Sequence, residues 1–463
     1  MELITTITTR FAEIAWGPWL LILLVGGGLG FLIYSGFTPF RYLGHAVDLL
    51  RGKYDNPDDP GHINHAKALS SALAGTIGMG NIAGVALAIS IGGPGSIFWM
   101  WVTAVLGIAT KFFTCSLAVM YRGKDSAGDV QGGPMYVIRE GLPRRYHFLA
   151  YWFAGFGIIA SLPALQSNQL IQIFRDLVFV EYGVISSTDD AFYLNLGLGI
   201  GLALITAGVV FGGLQRIAKV ASAAVPSMSI LYMGAALFAL LVNIDQVPAA
   251  FALILADAFT GEAAASGGLL TMILYGIQRG AFSNEAGIGT ESLAHGAAKT
   301  KEPIREGLVA MTGPIIDTLL ICTTTALMIL VSGVWTTETS EGVTLTAAAF
   351  ATLLGPTGTI VVFVCVLIFA STTIFTYSFY GTQCTNFLFG AHRAQYYNWA
   401  HVSFILLFAV ISIEAAVSLI DGCFAFMAVP TMVSAFLLAP RVKEAAAEYF
   451  GKLESPPRTQ QTN

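Results

Sequence analysis

Apolar runs of about 20 residues, the length of a helix that crosses a bilayer, recur along most of this 463-residue chain. Charged residues make up only 11% of the sequence, whereas a soluble domain carries about 25%. Too little polar surface is left to cover a soluble core of this size. The sequence therefore predicts an all-α, polytopic membrane protein.

Eleven segments are predicted as transmembrane helices when clusters of Gly, Pro and charge are taken as breaks. The first segment lacks the short apolar core of a signal peptide, and we interpret it as a retained helix. The predicted segments are residues 16–37, 66–91, 95–121, 149–180, 192–213, 217–242, 265–294, 305–333, 357–389, 397–419 and 422–440.

The basic residues are distributed unequally between the two sides of the membrane. If the loop 38–65 faces the cytoplasm, the same side carries 19 of the 23 Lys and Arg residues. Cytoplasmic loops of membrane proteins are enriched in Lys and Arg. We therefore predict an outside N-terminus, a cytoplasmic C-terminus and the plasma (inner) membrane of a prokaryote as the location.

Other functional classes find little support in the residues. The net charge is −5, and no basic run suggests nucleic acid. The five cysteines fall in apolar segments without the spacing of a metal site, so they are expected to be unpaired core residues. No HExxH or GxSxG motif places a base beside a nucleophile. We expect neither an enzyme nor a cofactor.

Ten helices remain after the first one and divide into two halves of five. An odd number of helices inverts the second half relative to the first, and the predicted inverted repeats are residues 66–242 and 265–440, followed by a cytoplasmic tail, 441–463. Each half opens with a segment rich in Gly and polar residues. Paired interrupted helices at matching positions indicate a binding site at the midplane of an inverted-repeat transporter.

The first interruption reads GTIGMGNIAGV (residues 75–85). A phosphate-binding loop would need a preceding strand, which is missing. The Gly80-x-x-x-Gly84 spacing is typical of close helix packing, but it does not explain the polar residues. An unwound segment does, because its free N–H groups suit a carboxylate and its free carbonyls suit a cation. The candidate binding positions are Thr76, Gly78, Gly80 and Asn81.

The second interruption reads RGAFSNEAGIGT (residues 279–290). Ser283 and the neighbouring backbone, including Gly280, are the predicted substrate contacts. Glu285 has two interpretations: a structural pair with Arg279, which we favour, or direct coupling to an ion or proton.

Further polar residues lie in other predicted helices. Thr372 and Thr373 either satisfy carbonyls of their own helix or donate oxygens to Na⁺, and Tyr377 follows one turn later. Gln166 is the preferred cavity residue of its helix. For the remaining charges in apolar segments, mutual pairing or snorkelling is the favoured interpretation; these are Lys111, Asp317 and Glu414.

Together the motifs resemble the alanine or glycine:cation symporter family. The resemblance covers residues 60–390 and rests on the two interruptions, on GGPGSIFWMWVTAVLGIATKF (92–112), on QGGPMYVI (131–138) and on GPIIDTLLICTTTAL (313–327). It implies a leucine-transporter-type 5+5 inverted-repeat fold and Na⁺-driven, rarely H⁺-driven, uptake of a small amino acid.

The resemblance also implies roles for particular residues. At the substrate cavity it implies Thr76, Gly78, Asn81, Gln166, Ser283, Thr373 and Tyr377; by analogy with the wider fold, carbonyls of Ala74 and Ile77 join Thr372 and Thr373 in a sodium site. The chain departs from the family pattern at Thr114 and Tyr377, where Glu and Trp are usual, and at Thr382 in FYGT, where YYGE is usual.

We therefore expect Na⁺-coupled symport of alanine, glycine or a similar small neutral amino acid by alternating access across the lipid bilayer. The alternatives are H⁺-coupled symport and a passive channel for small polar solutes. A channel would need a continuous polar stripe, whereas the polar residues here cluster at mid-depth.

Overall fold

The structure, a computed structural model, describes residues 2–180, 183, 191–260, 268–336, 342–410 and 414–454. Nearly all of this part of the chain is helical. A short antiparallel hairpin joins β1 (Gly123–Lys124) to β2 (Val130–Gln131).

The first half of the chain supplies thirteen α-helical segments. A π-helical turn, Ile22–Gly26, separates α2 from α3, and a second, Gly80–Gly84, precedes α7. The segments are α1 (Glu2–Ala15), α2 (Pro18–Leu21), α3 (Gly27–Tyr34), α4 (Thr38–Arg41), α5 (Leu43–Leu50), α6 (His65–Thr76), α7 (Val85–Gly92), α8 (Ser96–Met120), α9 (Pro134–Gly141), α10 (Phe148–Ala160), α11 (Ala164–Phe174), α12 (Phe192–Val210) and α13 (Gly213–Val242).

The second half supplies nine more. A π-helical stretch, Ile315–Cys322, precedes α18. The segments are α14 (Val247–Thr260), α15 (Gly268–Asn284), α16 (Thr290–His295), α17 (Pro303–Ala310), α18 (Thr323–Ser332), α19 (Val343–Leu354), α20 (Pro356–Phe389), α21 (Ala391–Val410) and α22 (Glu414–Glu454).

Each of the eleven predicted segments contains helix in the structure. Among the described residues, eight helices are long and apolar enough to cross a membrane, or nine when the bent pair formed by residues 65–76 and 80–92 counts as one span. The count of eleven and the 5+5 repeat stay predictions. The short apolar helices α14 and α19 lie in regions interpreted from sequence as connections.

The last helix is longer than the sequence analysis predicted. Helix α22 runs through the first part of the predicted cytoplasmic tail to Glu454, while residues 455–463 lie outside the described residues. Two aromatic residues explain the extension. Phe450 stacks on Tyr42 with ring centroids 3.6 Å apart, and Tyr449 Oη lies 2.7 Å from His45 Nε2. This packing joins the end of α22 to the short helices α4 and α5.

The two interrupted segments lie inside the helical bundle. The α6–α7 segment packs against α13 and α20, and the α15–α16 segment packs against α8. Asn81 and Ser283 of these segments, and Asp317 of the neighbouring π-helical stretch, are each at most 1% exposed. The fold thus surrounds the two interruptions with helices and closes them to solvent.

Candidate functional site

The first interrupted helix breaks at Ile77 and Gly78. Helix α6 ends at Thr76, Ile77 is extended (φ −74°, ψ 94°), and the two helical parts meet at a bend of 53°. The N–H of Gly78 donates to Asn81 Oδ1 at 2.9 Å. The side chain of Asn81 therefore replaces a backbone acceptor that a continuous helix would have supplied.

Two glycines of this break, Gly75 and Gly78, are required by space rather than by backbone conformation. A Cβ at Gly78 would lie 2.6 Å from Thr373 Oγ1, and a Cβ at Gly75 would lie 3.0 Å from Tyr380 Oη. At Gly80 the nearest atoms, in Phe282 and Ser283, are at an ordinary contact distance of 3.7 Å, and at Gly84 no atom lies within 4 Å. The structure gives no support to Gly84 as a close-packing glycine.

The second interruption has a different backbone. Between the end of α15 and the start of α16, Glu285, Gly287 and Gly289 have positive φ angles of 55°, 84° and 102°. This left-handed conformation costs a non-glycine residue such as Glu285 free energy. The surrounding structure must hold Glu285 in place.

Hydrogen bonds to its carboxylate hold Glu285. Tyr377 Oη donates to Oε1 at 3.1 Å, and the hydroxyl of Thr290 donates to Oε2. Within the described residues no ion pair joins Arg279 to this carboxylate, so the pair favoured by the sequence analysis does not form. Glu285 instead links the second break to α20.

The carboxylate of Asp317 is where the two breaks meet. Asn81 Nδ2 donates to Oδ1 at 2.5 Å, and Ser283 Oγ donates to Oδ2 at 2.7 Å. Thr318 Oγ1 also donates to Oδ2 at 2.7 Å. Asp317 does not snorkel to the surface, because hydrogen bonds from both interrupted helices hold it in the interior; the predicted pairing with Lys111 takes the form of an electrostatic interaction without a direct ion pair. Nothing in the motif GPIIDT (residues 313–318) predicts from the sequence that Asp317 contacts both interrupted helices.

A buried carboxylate is costly unless a cation or enough hydrogen bonds compensate it. Lys111 is only 2% exposed and interacts electrostatically with Asp317, but within the described part of the chain no Lys or Arg nitrogen lies within 4.0 Å of it. The site thus offers a carboxyl group, with hydroxyl and amide groups around it, to a positively charged ligand.

A second group of oxygens lies where α20 crosses the first break. Thr373 Oγ1 is 3.0 Å from the carbonyl oxygens of both Ala74 and Phe369. Thr372 Oγ1 lies 3.0 Å from the same Phe369 oxygen and 2.9 Å from that of Ile368. Both interpretations of the threonines thus remain: they satisfy carbonyls of their own helix, and Thr373 also reaches the break. The Phe369 carbonyl oxygen also belongs to this group of oxygens, and it was not predicted from the sequence.

The remaining predicted residues are buried, but not all of them join these groups. Ile77 is fully buried at the break, and Thr76 is 4% exposed. Gly280 lies against Met100 and Thr103 of α8, where a Cβ would clash. Gln166 is 6% exposed on α11, and within the described residues no hydrogen bond joins its side chain to the others.

The three departures from the family pattern all supply hydroxyl groups that donate hydrogen bonds. Thr114 Oγ1 lies 3.2 Å from Glu291 Oε1, and Tyr377 binds Glu285 as described. Thr382 Oγ1 lies 2.8 Å from Asn398 Oδ1. Two of the three departures therefore give a donor to a buried glutamate of the second interrupted helix.

Arg122 joins the loops that flank the two interrupted helices on one side of the bundle. Its guanidinium donates to the carbonyls of Gly296 (2.7 Å) and Thr300 (3.0 Å), after α16, and to that of Pro60 (3.1 Å), before α6. Burial lowers the pKa of Arg122 to about 10, although Glu306 acts in the opposite direction. The guanidinium is therefore charged at neutral pH.

A buried carboxylate completes this junction. Glu306 on α17 accepts from the Nδ1 atoms of His65, at the start of α6, and His295, at the end of α16. All three side chains are at most 1% exposed. No local sequence signal identifies this group, because its outermost members, His65 and Glu306, are 241 residues apart in the chain.

Comparisons with known proteins give a consistent result. Residues 1–462 match the Sodium:alanine symporter family. The chain is 38% identical over 458 residues to an uncharacterized transporter of Haemophilus influenzae, covering 97% of both chains. It is 37% identical over 449 residues to the sodium/alanine symporter AgcS of Methanococcus maripaludis, covering 95% of both.

A solved structure shows the fold. The crystal structure of MhsT in complex with L-phenylalanine aligns with 84% of this chain and 98% of that chain, at a TM-score of 0.57 and 11% sequence identity. At this identity the likeness shows a shared architecture alone. It agrees with the leucine-transporter-like fold that the resemblance implies.

Proposed function

Because the chain belongs to the sodium:alanine symporter family and is a cation-coupled amino acid transporter rather than an enzyme, we propose that it takes up a small neutral amino acid together with Na⁺. The membrane of a prokaryote is its location. Alanine is the proposed substrate, and glycine or a similar residue is the nearest alternative.

The observation that carries this proposal is the junction at Asp317. One donor comes from each interrupted helix, Asn81 from the first and Ser283 from the second. A cation or an ammonium group bound beside this carboxylate would contact both halves of the fold at once. Such a ligand favours the conformation in which the halves are together, and a conformational equilibrium shifts by the difference in affinity between its two states.

The amino acid carboxylate is assigned to the backbone N–H groups of the first break. They begin the half-helix from Gly80 onward, where the helix dipole favours negative charge. Tyr380 and Thr373 pack against Gly75 and Gly78, which narrows the space beside the break. We expect this narrow space to exclude large side chains.

Na⁺ is assigned to the oxygens of Ala74, Ile77, Thr372 and Thr373, with Phe369 added. The reason is that Thr373 Oγ1 already reaches a carbonyl on each side of the contact between the first break and α20. Carbonyls of unwound helices coordinate Na⁺ in transporters of this kind. Bound Na⁺ would link the first interrupted helix to α20.

A proton is the second candidate for the coupling ion, and the environments of Asp317 and Glu285 favour it. Both are buried carboxylates that accept hydrogen bonds and, within the described residues, form no ion pair within 4.0 Å. Either could carry a proton between the two sides of the membrane.

Uptake of labelled alanine into proteoliposomes distinguishes these possibilities. We expect concentrative uptake with an inward Na⁺ gradient and none with a pH gradient alone. Uptake driven by the pH gradient alone would assign coupling to protons. Flux that needs no gradient and never exceeds equilibrium would contradict symport and favour a channel.

The Na⁺ assignment has its own test at Thr373. Thr373→Ala should raise the Na⁺ concentration for half-maximal uptake by about tenfold, the effect of losing about 1.4 kcal/mol of binding free energy, whereas Thr373→Ser keeps the hydroxyl and should stay close to wild type. Thr324→Val is the matched control, because within the described residues the hydroxyl of Thr324 bonds only to the Leu320 carbonyl, one turn earlier in the chain. Equal Na⁺ dependence in Thr373→Ala and Thr324→Val would remove Thr373 from the ion site.

A further inference from the structure

A basic groove lies between the start of α6 and the start of α13. Its volume is about 490 Å³, within the range of ~300–1,000 Å³ typical of ligand sites. Lys67 on α6 and Arg216 and Lys219 on α13 line it, together with His62 and Gln215. We call this set of residues the α6–α13 groove.

The positive charge of the groove has no counter-charge on the elements that build it. Helices α6, α12 and α13 contain no Asp or Glu, and neither does the segment 60–64. Asp59, the acidic residue just before that segment, is paired with Lys301 at 3.3 Å. Within the described residues, Lys67, Arg216 and Lys219 form no ion pair within 4.0 Å.

In a second basic groove, by contrast, basic residues have carboxylate or carbonyl partners within the protein. It is lined by Arg122, Lys124, Arg139 and Lys301, and it also contains Glu140. Arg139 forms an ion pair with Glu140 at 2.8 Å, and Arg122 donates hydrogen bonds to loop carbonyls such as that of Gly296. The α6–α13 groove differs because its two lysines are exposed and, within the described residues, have no carboxylate partner within 4.0 Å. They are therefore open to an external anion.

Aromatic residues place the α6–α13 groove at the surface of the bilayer. Phe211, which directly precedes the groove residue Gly212, packs on Trp399 with ring centroids 4.5 Å apart. Trp399 is 63% exposed and Tyr396 is 60% exposed. Exposed Trp and Tyr on a transmembrane bundle concentrate at the level of the lipid headgroups. Lipid headgroups are therefore the anions within reach.

The groove shares no lining residue with the group around Asp317, and apolar residues pack beside it. Ile63 and Ala68 on one side and Ala218 on the other form a small apolar cluster with Ala297 and Ala298, the loop that follows α16. A headgroup in the groove would lie over this cluster and contact both α6 and α13.

We propose that the α6–α13 groove binds the phosphate headgroup of an anionic phospholipid. Lys67 and Lys219 supply its charge from the two helices, and Arg216 and Gln215 supply further donors. Basic pockets between transmembrane helices on the cytoplasmic side are suited to anionic headgroups. The positive-inside distribution of Lys and Arg puts this groove on the side expected to be cytoplasmic.

The test measures lipid binding to the purified full-length protein in detergent by native mass spectrometry. The probe is dioctanoyl phosphatidylglycerol, and dioctanoyl phosphatidylcholine is the neutral-headgroup comparison. We expect Lys67→Gln/Lys219→Gln to weaken binding of phosphatidylglycerol by about tenfold or more, because each basic residue near the headgroup contributes to attraction. Arg216 is kept, since it also bonds to the Gly208 carbonyl at the turn between α12 and α13.

The matched control is Lys53→Gln/Lys452→Gln. It removes the same number and type of charges from exposed positions where each lysine already has a carboxylate partner, Asp48 or Glu448. We expect binding by this variant to stay within twofold of wild type, and unfolding temperatures of both variants should match wild type.

Three results would overturn the proposal. One is an equal loss of phosphatidylglycerol binding in the two double variants, or no loss in either. Another is phosphatidylcholine binding as tight as that of phosphatidylglycerol, which would remove the role of charge. The third is glycerol 3-phosphate binding the groove as tightly as the lipid, which would make it a site for a soluble phosphate.

Discussion

Single residues of the first break contribute in two ways, by the absence of a side chain and by hydrogen bonds. Gly78 lies so close to Thr373 that only a hydrogen fits between them, while Asn81 binds the Gly78 N–H and the Asp317 carboxylate at the same time. Some glycines of the break, such as Gly78, are therefore required because a Cβ would clash, whereas others, such as Gly84, leave room for a side chain.

Gly78→Ala and Gly84→Ala are a matched pair for this distinction. A Cβ at Gly78 would lie 2.6 Å from Thr373 Oγ1, whereas a Cβ at Gly84 would meet nothing within 4 Å. We expect Gly78→Ala to abolish alanine uptake in proteoliposomes and Gly84→Ala to retain at least about half of it, since an open helix position tolerates Ala well. Normal uptake by Gly78→Ala would contradict the close approach of the first break to α20.

The two interrupted helices are built by different physical means. In the first, the chain stays in ordinary backbone regions and a side chain, Asn81, replaces a lost acceptor. In the second, three residues take positive φ angles, and hydrogen bonds to Glu285 hold the least favourable one. At one end of both elements, Arg122 fixes the loops that enter α6 and leave α16.

Arg122→Lys tests how much this junction contributes to stability. A lysine keeps the charge but lacks the planar set of five donors that reaches several carbonyls at once. Losing two or more of these bonds should destabilise the protein by about 1–3 kcal/mol, seen as a lower unfolding temperature in detergent. Arg144→Lys, at an exposed position, should leave it unchanged. Equal unfolding temperatures would show that the loops hold without the guanidinium.

The molecule as a whole is closed around its site. Asn81, Ser283 and Asp317 are each at most 1% exposed, so a substrate can enter or leave only if helices move apart. Cys322 reports on this motion, because its Sγ lies 3.2 Å from Ser283 Oγ and 3.3 Å from Asn81 Nδ2. All five cysteines are buried and unpaired.

A variant that keeps Cys322 as its only cysteine should react with a small methanethiosulfonate reagent only when the site opens. We expect Na⁺ and alanine together to slow this reaction by about threefold or more, since ligands shift the population toward the closed state that binds them. A variant that keeps only Cys423 is the control, and its rate should not respond. An identical response of both cysteines would mean that the ligands stabilise the whole protein and do not occupy this site.

The membrane class, the presence of helix in each predicted segment and the positions of both interruptions could be predicted from the sequence. Each of these depends on hydrophobic runs or on Gly and polar residues that are adjacent in the chain. The family, too, could be identified from local motifs, and the comparisons confirmed it.

Which polar groups contact one another depends on the packing of the helices and could not be predicted from the sequence. Asp317 lies 236 residues from Asn81 in the chain, and nothing local distinguishes its role from that of Lys111. The same holds for Glu285, whose partner is Tyr377 and not the nearby Arg279, and for the extension of α22, which aromatic contacts with α4 and α5 stabilise. Hydrophobic patterns report which residues are buried, whereas the partner of a buried charge depends on how the helices pack around it.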